Sequence, residues 1–276
     1  MTYPELKNRV VLITGTNNAE GIGQALAREF AAQGARLLLT YRPVPPGARS
    51  GSPPPDPGDA RYVWLNQADP LDLVERLRAD GVEVEARPFD HAHADSPETV
   101  VAWALSRFET IDAIVSNAAA CEADSFAEGA TPLTARSCDY HYGVNVRFPA
   151  LLLQRFAGIR RSRGRGGSFI AISTNASSAF AGQVSYGASK YAFESYVRAA
   201  AWELGPDGVR VNTISPGPVQ TGYIPETLAQ DLLPWIPSRR LGCPADVAHA
   251  AAFLASDRAD WITGETLHVA SGHAMR

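Results

Sequence analysis

Residues 168–193, SFIAISTNASSAFAGQVSYGASKYAF, predict a buried strand, a polar loop and then a helix that carries Tyr186 and Lys190. These two residues are four positions apart, so on a helix they share one face and the ammonium lies near the phenol. A nearby cation favours the phenolate and moves the pKa of a tyrosine from about 10 towards neutral pH. The spacing therefore predicts a proton-transferring pair.

A glycine-rich turn follows the first apolar run of the chain. Residues 10–13 predict a strand buried on both faces, Gly15 follows it, and residues 21–32 predict a helix that stops near Gly34. The turn lets backbone approach a pyrophosphate, and the start of the helix offers free N–H groups. Further strands are predicted at residues 36–40, 82–89, 111–115, 209–214 and 266–270, and helices at 71–79, 97–108 and 244–255. Another long helix is predicted to contain residues 142–146.

The glycine turn, the Tyr186 and Lys190 pair and a serine thirteen residues before the tyrosine together resemble the short-chain dehydrogenase/reductase family, over residues 8–272. The general likeness is to 3-oxoacyl-[acyl-carrier-protein] reductase-like members. The resemblance implies an α/β fold: one Rossmann-type doubly wound parallel sheet flanked by helices, in a single domain over residues 1–276. It also implies hydride transfer between a nicotinamide cofactor and a ketone or secondary alcohol.

The resemblance assigns catalytic roles to a small set of residues. Tyr186 transfers the proton, Lys190 holds the nicotinamide ribose and assists the tyrosine, and Asn145 completes a proton relay. Counting back from Tyr186 favours Ser173 as the hydroxyl that holds the carbonyl oxygen. Aligning the end of the strand instead selects Thr174, so this alternative stays open beside the preferred Ser173. A catalytically silent nucleotide-binding protein, an epimerase and a dehydratase are the other functions that the fold allows.

The end of the second predicted strand indicates which cofactor binds. NAD-dependent relatives carry an acid there, whereas Tyr41 and Arg42 stand here and favour NADP(H) over NAD(H). Glu20 favours NAD(H) instead, because NADP-binding relatives often have a basic residue at its position. The other cofactor contacts implied by the resemblance are Gly15, Asn17, Gly21, Ile22, Gly23, Asp90, Asn117, Ala118, Tyr186, Lys190, Pro216, Gly217, Val219 and Thr221.

Two segments lie outside this core pattern. The insertion, residues 43–61, begins with seven prolines and three glycines in positions 43–58, which exclude regular structure there. A tolerated surface loop is preferred to a cover over the cofactor. Residues 220–240 are expected to form a substrate lid, and its apolar side chains indicate a substrate with carbon bulk. These side chains are Tyr223, Ile224, Leu232, Leu233 and Trp235.

Composition limits the remaining possibilities. The 276 residues carry a net charge of -4, which argues against a nucleic-acid partner, and the arginines at 160, 161, 163 and 165 are expected to form a solvated loop. The three cysteines have no disulfide or zinc spacing, and His91 and His93 are expected to be surface residues, so no metal is predicted.

The N-terminus lacks a secretory pattern and no run of eighteen apolar residues occurs, so a cytoplasmic protein without a membrane partner is predicted. The expected partner is a small-molecule substrate. The resemblance further implies a homotetramer, or a homodimer.

Overall fold

The computed structural model describes residues 2–273. Its strands are β1 (Val10–Thr14), β2 (Arg36–Tyr41), β3 (Val84–Pro88), β4 (Ala113–Ser116), β5 (Gly167–Ile172), β6 (Val209–Pro216) and β7 (Thr266–Val269). They form one parallel sheet in the order β3-β2-β1-β4-β5-β6-β7. Because all pairs are parallel, the carboxyl ends of the strands meet at one edge. The strand order reverses between β1 and β4, which is where open α/β sheets bind ligands.

The helices are α1 (Ile22–Ala32), α2 (Asp59–Asn66), α3 (Leu71–Ala79), α4 (Ser96–Arg107), α5 (Ala135–Tyr142), α6 (Phe148–Ser162), α7 (Val184–Leu204), α8 (Glu226–Leu232) and α9 (Pro244–Ala255). They cover both faces of the sheet, as the apolar central strands require. In β1, Val11 and Ile13 pack against α1, α3 and α9, whereas Val10 and Leu12 pack against α4, α6 and α7. The predicted doubly wound α/β fold is confirmed.

Two helical features differ from the sequence-based expectation. The predicted long helix around Asn145 is divided, because a π-helical turn at Gly143–Arg147 separates α5 from α6. Helix α2 was not predicted at all, and it begins directly after the proline-rich residues 43–58, which form no helix or strand.

The arginine cluster does not form a solvated loop throughout, because Arg160 is 1% exposed. Its guanidinium donates to Asp112 Oδ1 at 2.7 Å and to the carbonyl oxygens of Ile111 and Gly166. Asp112 in turn accepts from the backbone N–H of Val10. Arg160 therefore ties the end of α6 to the amino-terminal edge of the sheet, and the surface expectation was wrong for this residue.

His91 was also expected at the surface, and it is buried. Its ring stacks on Phe148 with 3.8 Å between centroids, while its two nitrogens lie 3.1 Å from Thr40 Oγ1 and 3.2 Å from Ser96 Oγ. Burial lowers the pKa of His91 to about 4. His93, two residues later, is exposed as expected.

The buried imidazole predicts an acid-sensitive contribution to stability. Between about pH 6.5 and about pH 4 the unfolded chain protonates His91 and the native chain does not, so the free energy of unfolding falls as the pH falls. The contribution of neutral His91 to the free energy of unfolding is fully present above the pKa that His91 has in the unfolded chain, and it amounts to about 3 kcal/mol. We expect His91→Gln to lose this slope in urea unfolding at about pH 7.5 and about pH 4.5. His93→Gln is the control, and equal acid slopes in the two variants would contradict the assignment.

Candidate active site

A cavity of about 640 Å³ opens at the carboxyl edge of the sheet, bounded by the glycine turn, the end of β4, helix α7 and the turn after β6. It brings together the predicted site residues except Tyr41 and Asn145, which do not line it. Those that line it are Gly15, Asn17, Gly21, Ile22, Gly23, Arg42, Asp90, Asn117, Ala118, Ser173, Tyr186, Lys190, Pro216, Gly217, Val219 and Thr221.

The glycine turn packs tightly against the segment after β4. Gly15 has φ +78°, and a β-carbon there would lie 2.6 Å from the Cα of Ala118. A β-carbon at Gly23 would overlap the carbonyl of Gly15, so both positions require glycine. Asn117 donates to the carbonyl oxygens of Thr14 and Gly15 at 3.0 and 2.9 Å. Asn117 therefore fixes the turn against β4 through its side chain.

Tyr186 and Lys190 share one face of α7 and both line the cavity, as their spacing predicts. The ammonium lies 5.8 Å from the centre of the phenol ring and donates to the carbonyl of Ile172 at 2.8 Å. Burial lowers the pKa of Lys190 to about 8.

The expected lowering of the tyrosine pKa is not found. Burial, followed by the charges that Cys121 and Tyr62 can carry, raises the pKa of Tyr186 above its ordinary value. The loss of solvation at this position outweighs the effect of the distant ammonium. Tyr186 is therefore held in its protonated form, which can donate a proton.

The two candidate hydroxyls at the end of β5 have different partners. Ser173 donates to Glu194 Oε1 at 2.5 Å, and both residues are buried. Thr174 is partly exposed to the cavity, and its Oγ1 accepts from the N–H of Ala176 at 3.3 Å. The proton of Ser173 is thus used inside the protein, whereas that of Thr174 is available to a ligand. This geometry favours Thr174, against the preference for Ser173 that the spacing suggested.

Asn145 lies in the π-helical turn and is 2% exposed. Its Nδ2 donates to Ser189 Oγ and to the carbonyl of Ala120, each at 2.9 Å, and its Oδ1 accepts from the N–H of Ala120 at 2.8 Å. These bonds fix the segment before Cys121 against α7, directly beside Tyr186. The predicted relay from Lys190 through Asn145 stays a prediction.

Glu20 and Arg42, which gave opposite indications about the cofactor, have different surroundings. Glu20 forms a two-pronged ion pair with Arg61, through Nε and Nη2. Arg42 lines the cavity with an exposed side chain, and its backbone is held by the side chain of Asn17. The negative charge of Glu20 is therefore neutralised by a residue of the inserted segment.

Helix α2 and the expected lid, residues 220–240, contribute differently to the cavity wall, which the lid reaches only through Thr221 among the residues described. From α2, Tyr62, Val63, Asn66 and Gln67 line the cavity. None of the apolar residues expected in the lid does so: Tyr223, Ile224, Leu232, Leu233 and Trp235 are absent from the cavity wall. The cavity-lining residues of α2 begin at Tyr62, directly after the insertion at residues 43–61, so the surface-loop expectation for the insertion stays a prediction. The sequence signal for α2 was weak, since only Asp59 marks the first turn and no side chain caps it.

Two features are absent from residues 2–273. These residues contain no group of three or more histidine, cysteine, aspartate or glutamate side chains placed to hold a metal ion. In the same range, no helix combines the length and the apolar character needed to cross a bilayer.

A doubly wound parallel sheet with a glycine turn at its reversal point defines a dinucleotide-binding α/β protein. A family model described as Enoyl-(Acyl carrier protein) reductase matches residues 58–274. The chain belongs to the short-chain dehydrogenase/reductase family of oxidoreductases, which use nicotinamide cofactors.

Individual relatives align along nearly the whole chain. L-rhamnose 1-dehydrogenase (NAD(P)(+)) of Azotobacter vinelandii is 34% identical over 273 residues, covering 97% of each chain. The human dehydrogenase/reductase SDR family member 4 is 30% identical over 276 residues, covering 98% of this chain and 89% of the relative. A solved short-chain dehydrogenase/reductase variant from Serratia marcescens superposes with a TM-score of 0.80 at 26% identity, covering 99% of this chain and 100% of the relative.

Proposed function

We propose that this chain is an NADP(H)-dependent oxidoreductase that transfers hydride between the nicotinamide and a ketone or secondary alcohol. The observation that carries the proposal is that one cavity contains the glycine turn, the Tyr186 and Lys190 pair and the Thr174 hydroxyl. These are the groups that carbonyl reduction requires: a dinucleotide site, a proton donor and a hydrogen-bond donor to the carbonyl oxygen.

The cleft residues fit a dinucleotide. Gly21, Ile22 and Gly23 present the start of α1, whose first N–H groups have no partner within the helix and suit a pyrophosphate. The bound dinucleotide supplies or accepts the hydride. Lys190 holds the ribose hydroxyls in this proposal, as the family resemblance implies.

In the reductive direction Tyr186 donates its proton to the carbonyl oxygen, and its raised pKa means that the phenol is protonated at neutral pH before the reaction. Thr174 donates a hydrogen bond to the same oxygen through its hydroxyl proton, while its own oxygen accepts from the N–H of Ala176. Both interactions strengthen as negative charge develops on the oxygen, so they favour the transition state over the ground state.

Preference for NADP(H) rests on the charges near the end of β2. Arg42 provides a guanidinium at the cavity wall, which suits a 2'-phosphate. Glu20 would repel that phosphate, but its ion pair with Arg61 offsets its charge. Tyr41 does not line the cavity and has no role in this proposal.

The cavity wall supports a small, hydroxylated carbonyl compound as substrate, instead of the bulky apolar one that the sequence indicated. Tyr62, Glu122 and Tyr140 line the cavity and offer polar groups, whereas the apolar side chains expected in the lid do not. The dinucleotide shares the cavity, which leaves limited room. The relative that acts on L-rhamnose agrees with this class. A 3-oxoacyl thioester is the alternative, favoured by the acyl-carrier description of the family model.

A homotetramer and a cytoplasmic location stay predictions. Exposed aromatic side chains on two neighbouring helices, Tyr142 on α5 and Tyr196 on α7, support packing of this face against another copy.

Fluorescence titration with NADPH and, separately, NADH tests the proposal. We expect tighter binding of NADPH, and a loss of affinity for NADPH of about 10- to 100-fold in Arg42→Ala with little change for NADH. Arg165→Ala is the matched control, because it removes the same charge from the loop at the opposite edge of the sheet. Tighter binding of NADH would overturn the NADP(H) assignment, and binding of neither would overturn the oxidoreductase proposal.

A further inference from the structure

Helix α2 is attached to both walls of the cofactor cleft. On one wall, Arg61 pairs with Glu20 of the glycine turn. On the other, the N–H of Gly58 donates to the carbonyl of Gly222 at 2.9 Å. Leu65 is 3% exposed and packs so close to Gly222 that a β-carbon there would lie 2.6 Å from its Cδ1. The position of the helix is therefore fixed by contacts that reach both sides of the cleft.

The same attachment directs one face of α2 into the cavity. Tyr62 and Asn66 are one turn apart and line the cavity together with Val63 and Gln67. Gln67 follows the last helical residue, and the Nδ2 of Asn17 donates to the carbonyl of the next residue, Ala68, at 2.8 Å. Helix α2 is thus an ordered part of the cavity wall.

Tyr62 of this face lines the same cavity as Tyr186 and Cys121. Its ring packs edge-on against Tyr223, with 5.3 Å between centroids. It lies near enough to Cys121 and Tyr186 for their charges to interact, and burial raises its own pKa. Cys121 is linked to the loop before α7 by a 3.5 Å contact from its Sγ to Gln183 Oε1. Tyr62 therefore places a phenol of helix α2 in the cavity that holds the proposed proton donor.

We propose that Tyr62 is a substrate-binding residue and that helix α2, in place of the segment after β6, selects the substrate. This inference rests on the proposed function. The phenol of Tyr62 donates a hydrogen bond to a hydroxyl of the substrate next to its carbonyl, and the wall it forms excludes a long acyl chain. A site built to bond a substrate hydroxyl discriminates strongly against analogues that lack it, because its polar groups are then left without partners.

The test compares Tyr62→Phe with the wild-type chain, using NADPH and two carbonyl probes: erythrulose, a small hydroxyketone, and a long-chain 3-oxoacyl thioester. The variant keeps the ring that packs on Tyr223 and loses only the hydroxyl. We expect KM for erythrulose to rise about ten-fold, with kcat and the affinity for NADPH nearly unchanged. Tyr191→Phe is the matched control, since Tyr191 is an exposed residue of α7 that does not line this cavity.

A second variant tests the wall itself. Tyr62→Ala opens space beside Tyr186, so the rate of thioester reduction should rise relative to that of erythrulose. Thermal unfolding of both variants shows whether they are folded, and Tyr62→Phe keeps the test decisive if Tyr62→Ala is not.

The outcomes separate this inference from the proposed function. If the wild-type chain reduces erythrulose and Tyr62→Phe has the same KM, the role of Tyr62 is wrong and the proposed function stands. A wild-type preference for the long-chain thioester overturns the selection by α2. If the wild-type chain binds NADPH but reduces neither probe, the substrate class and the role of Tyr62 both fail. If it binds no nicotinamide cofactor, the proposed function fails with them.

Discussion

Tyr186→Phe is expected to lower kcat for carbonyl reduction by about a thousand-fold while NADPH binds as tightly as to the wild-type chain. The phenol proton is the one that neutralises the developing oxyanion, and its raised pKa keeps it in place at neutral pH. The phenylalanine ring retains the edge-on contact with Phe180, at 5.9 Å between centroids, so the helix should remain packed. Steady-state rates and the NADPH titration measure the two quantities separately.

Tyr191→Phe is the control for this substitution as well, because it removes a phenol from the exposed side of the same helix. A Tyr186→Phe variant that keeps more than about a tenth of the wild-type kcat would contradict the proton-donor role. Loss of NADPH binding in that variant would instead indicate that the residue acts mainly in holding the cofactor. If the wild-type chain itself binds NADPH but reduces no carbonyl compound, the catalytically silent nucleotide-binding protein becomes the better interpretation.

The parts of the structure that follow from local sequence were predictable. Residues 10–13 are β-branched and aliphatic without a break, which only a strand buried on both faces accommodates, and β1 is such a strand. Tyr186 and Lys190 share a face because helical periodicity fixes it. The glycine turn could be located because Gly15 and Gly23 sit where side chains do not fit.

The predictions that were wrong concern residues whose contacts lie far away in the sequence. Arg160 is buried because Asp112, 48 positions away, meets it at the sheet edge, and His91 is buried because Thr40 and Phe148 enclose it. Nothing near either residue in the sequence signals those partners. Helix α2 is eight residues long, and a helix of that length needs tertiary packing to form. Its packing comes from Glu20 and Gly222, on either side of the insertion.

The choice between Ser173 and Thr174 was open for the same reason. Counting residues from Tyr186 assumes a fixed loop length, whereas the hydroxyl that faces a ligand is set by where the strand ends. Strand β5 ends at Ile172, and alternation along the extended chain sends neighbouring side chains to opposite faces. Glu194 of α7 captures one of them, and only the fold shows which.

Thr174→Ala is expected to lower kcat by about a hundred-fold, and Ser173→Ala by much less. Thr174 loses a donor to the carbonyl oxygen, which matters most when charge develops on that oxygen. Ser173→Ala instead leaves the buried Glu194 carboxylate without its donor, so it should lower the free energy of unfolding by about 1 to 3 kcal/mol. The two substitutions thus separate catalysis from stability when kcat and urea unfolding are measured on both variants.

Thr174→Ser provides the matched rescue, because it restores the hydroxyl without the methyl group and should return kcat to within about ten-fold of the wild-type value. A reversed pattern, with kcat lost in Ser173→Ala and kept in Thr174→Ala, would show that Ser173 turns from Glu194 towards the substrate when the site is loaded. In that case Glu194→Gln should raise kcat in an otherwise unchanged chain, because a neutral amide holds the serine proton less strongly than a carboxylate. With Thr174 as the donor, Glu194→Gln should leave kcat nearly unchanged, since the Ser173 and Glu194 pair then acts only within the protein.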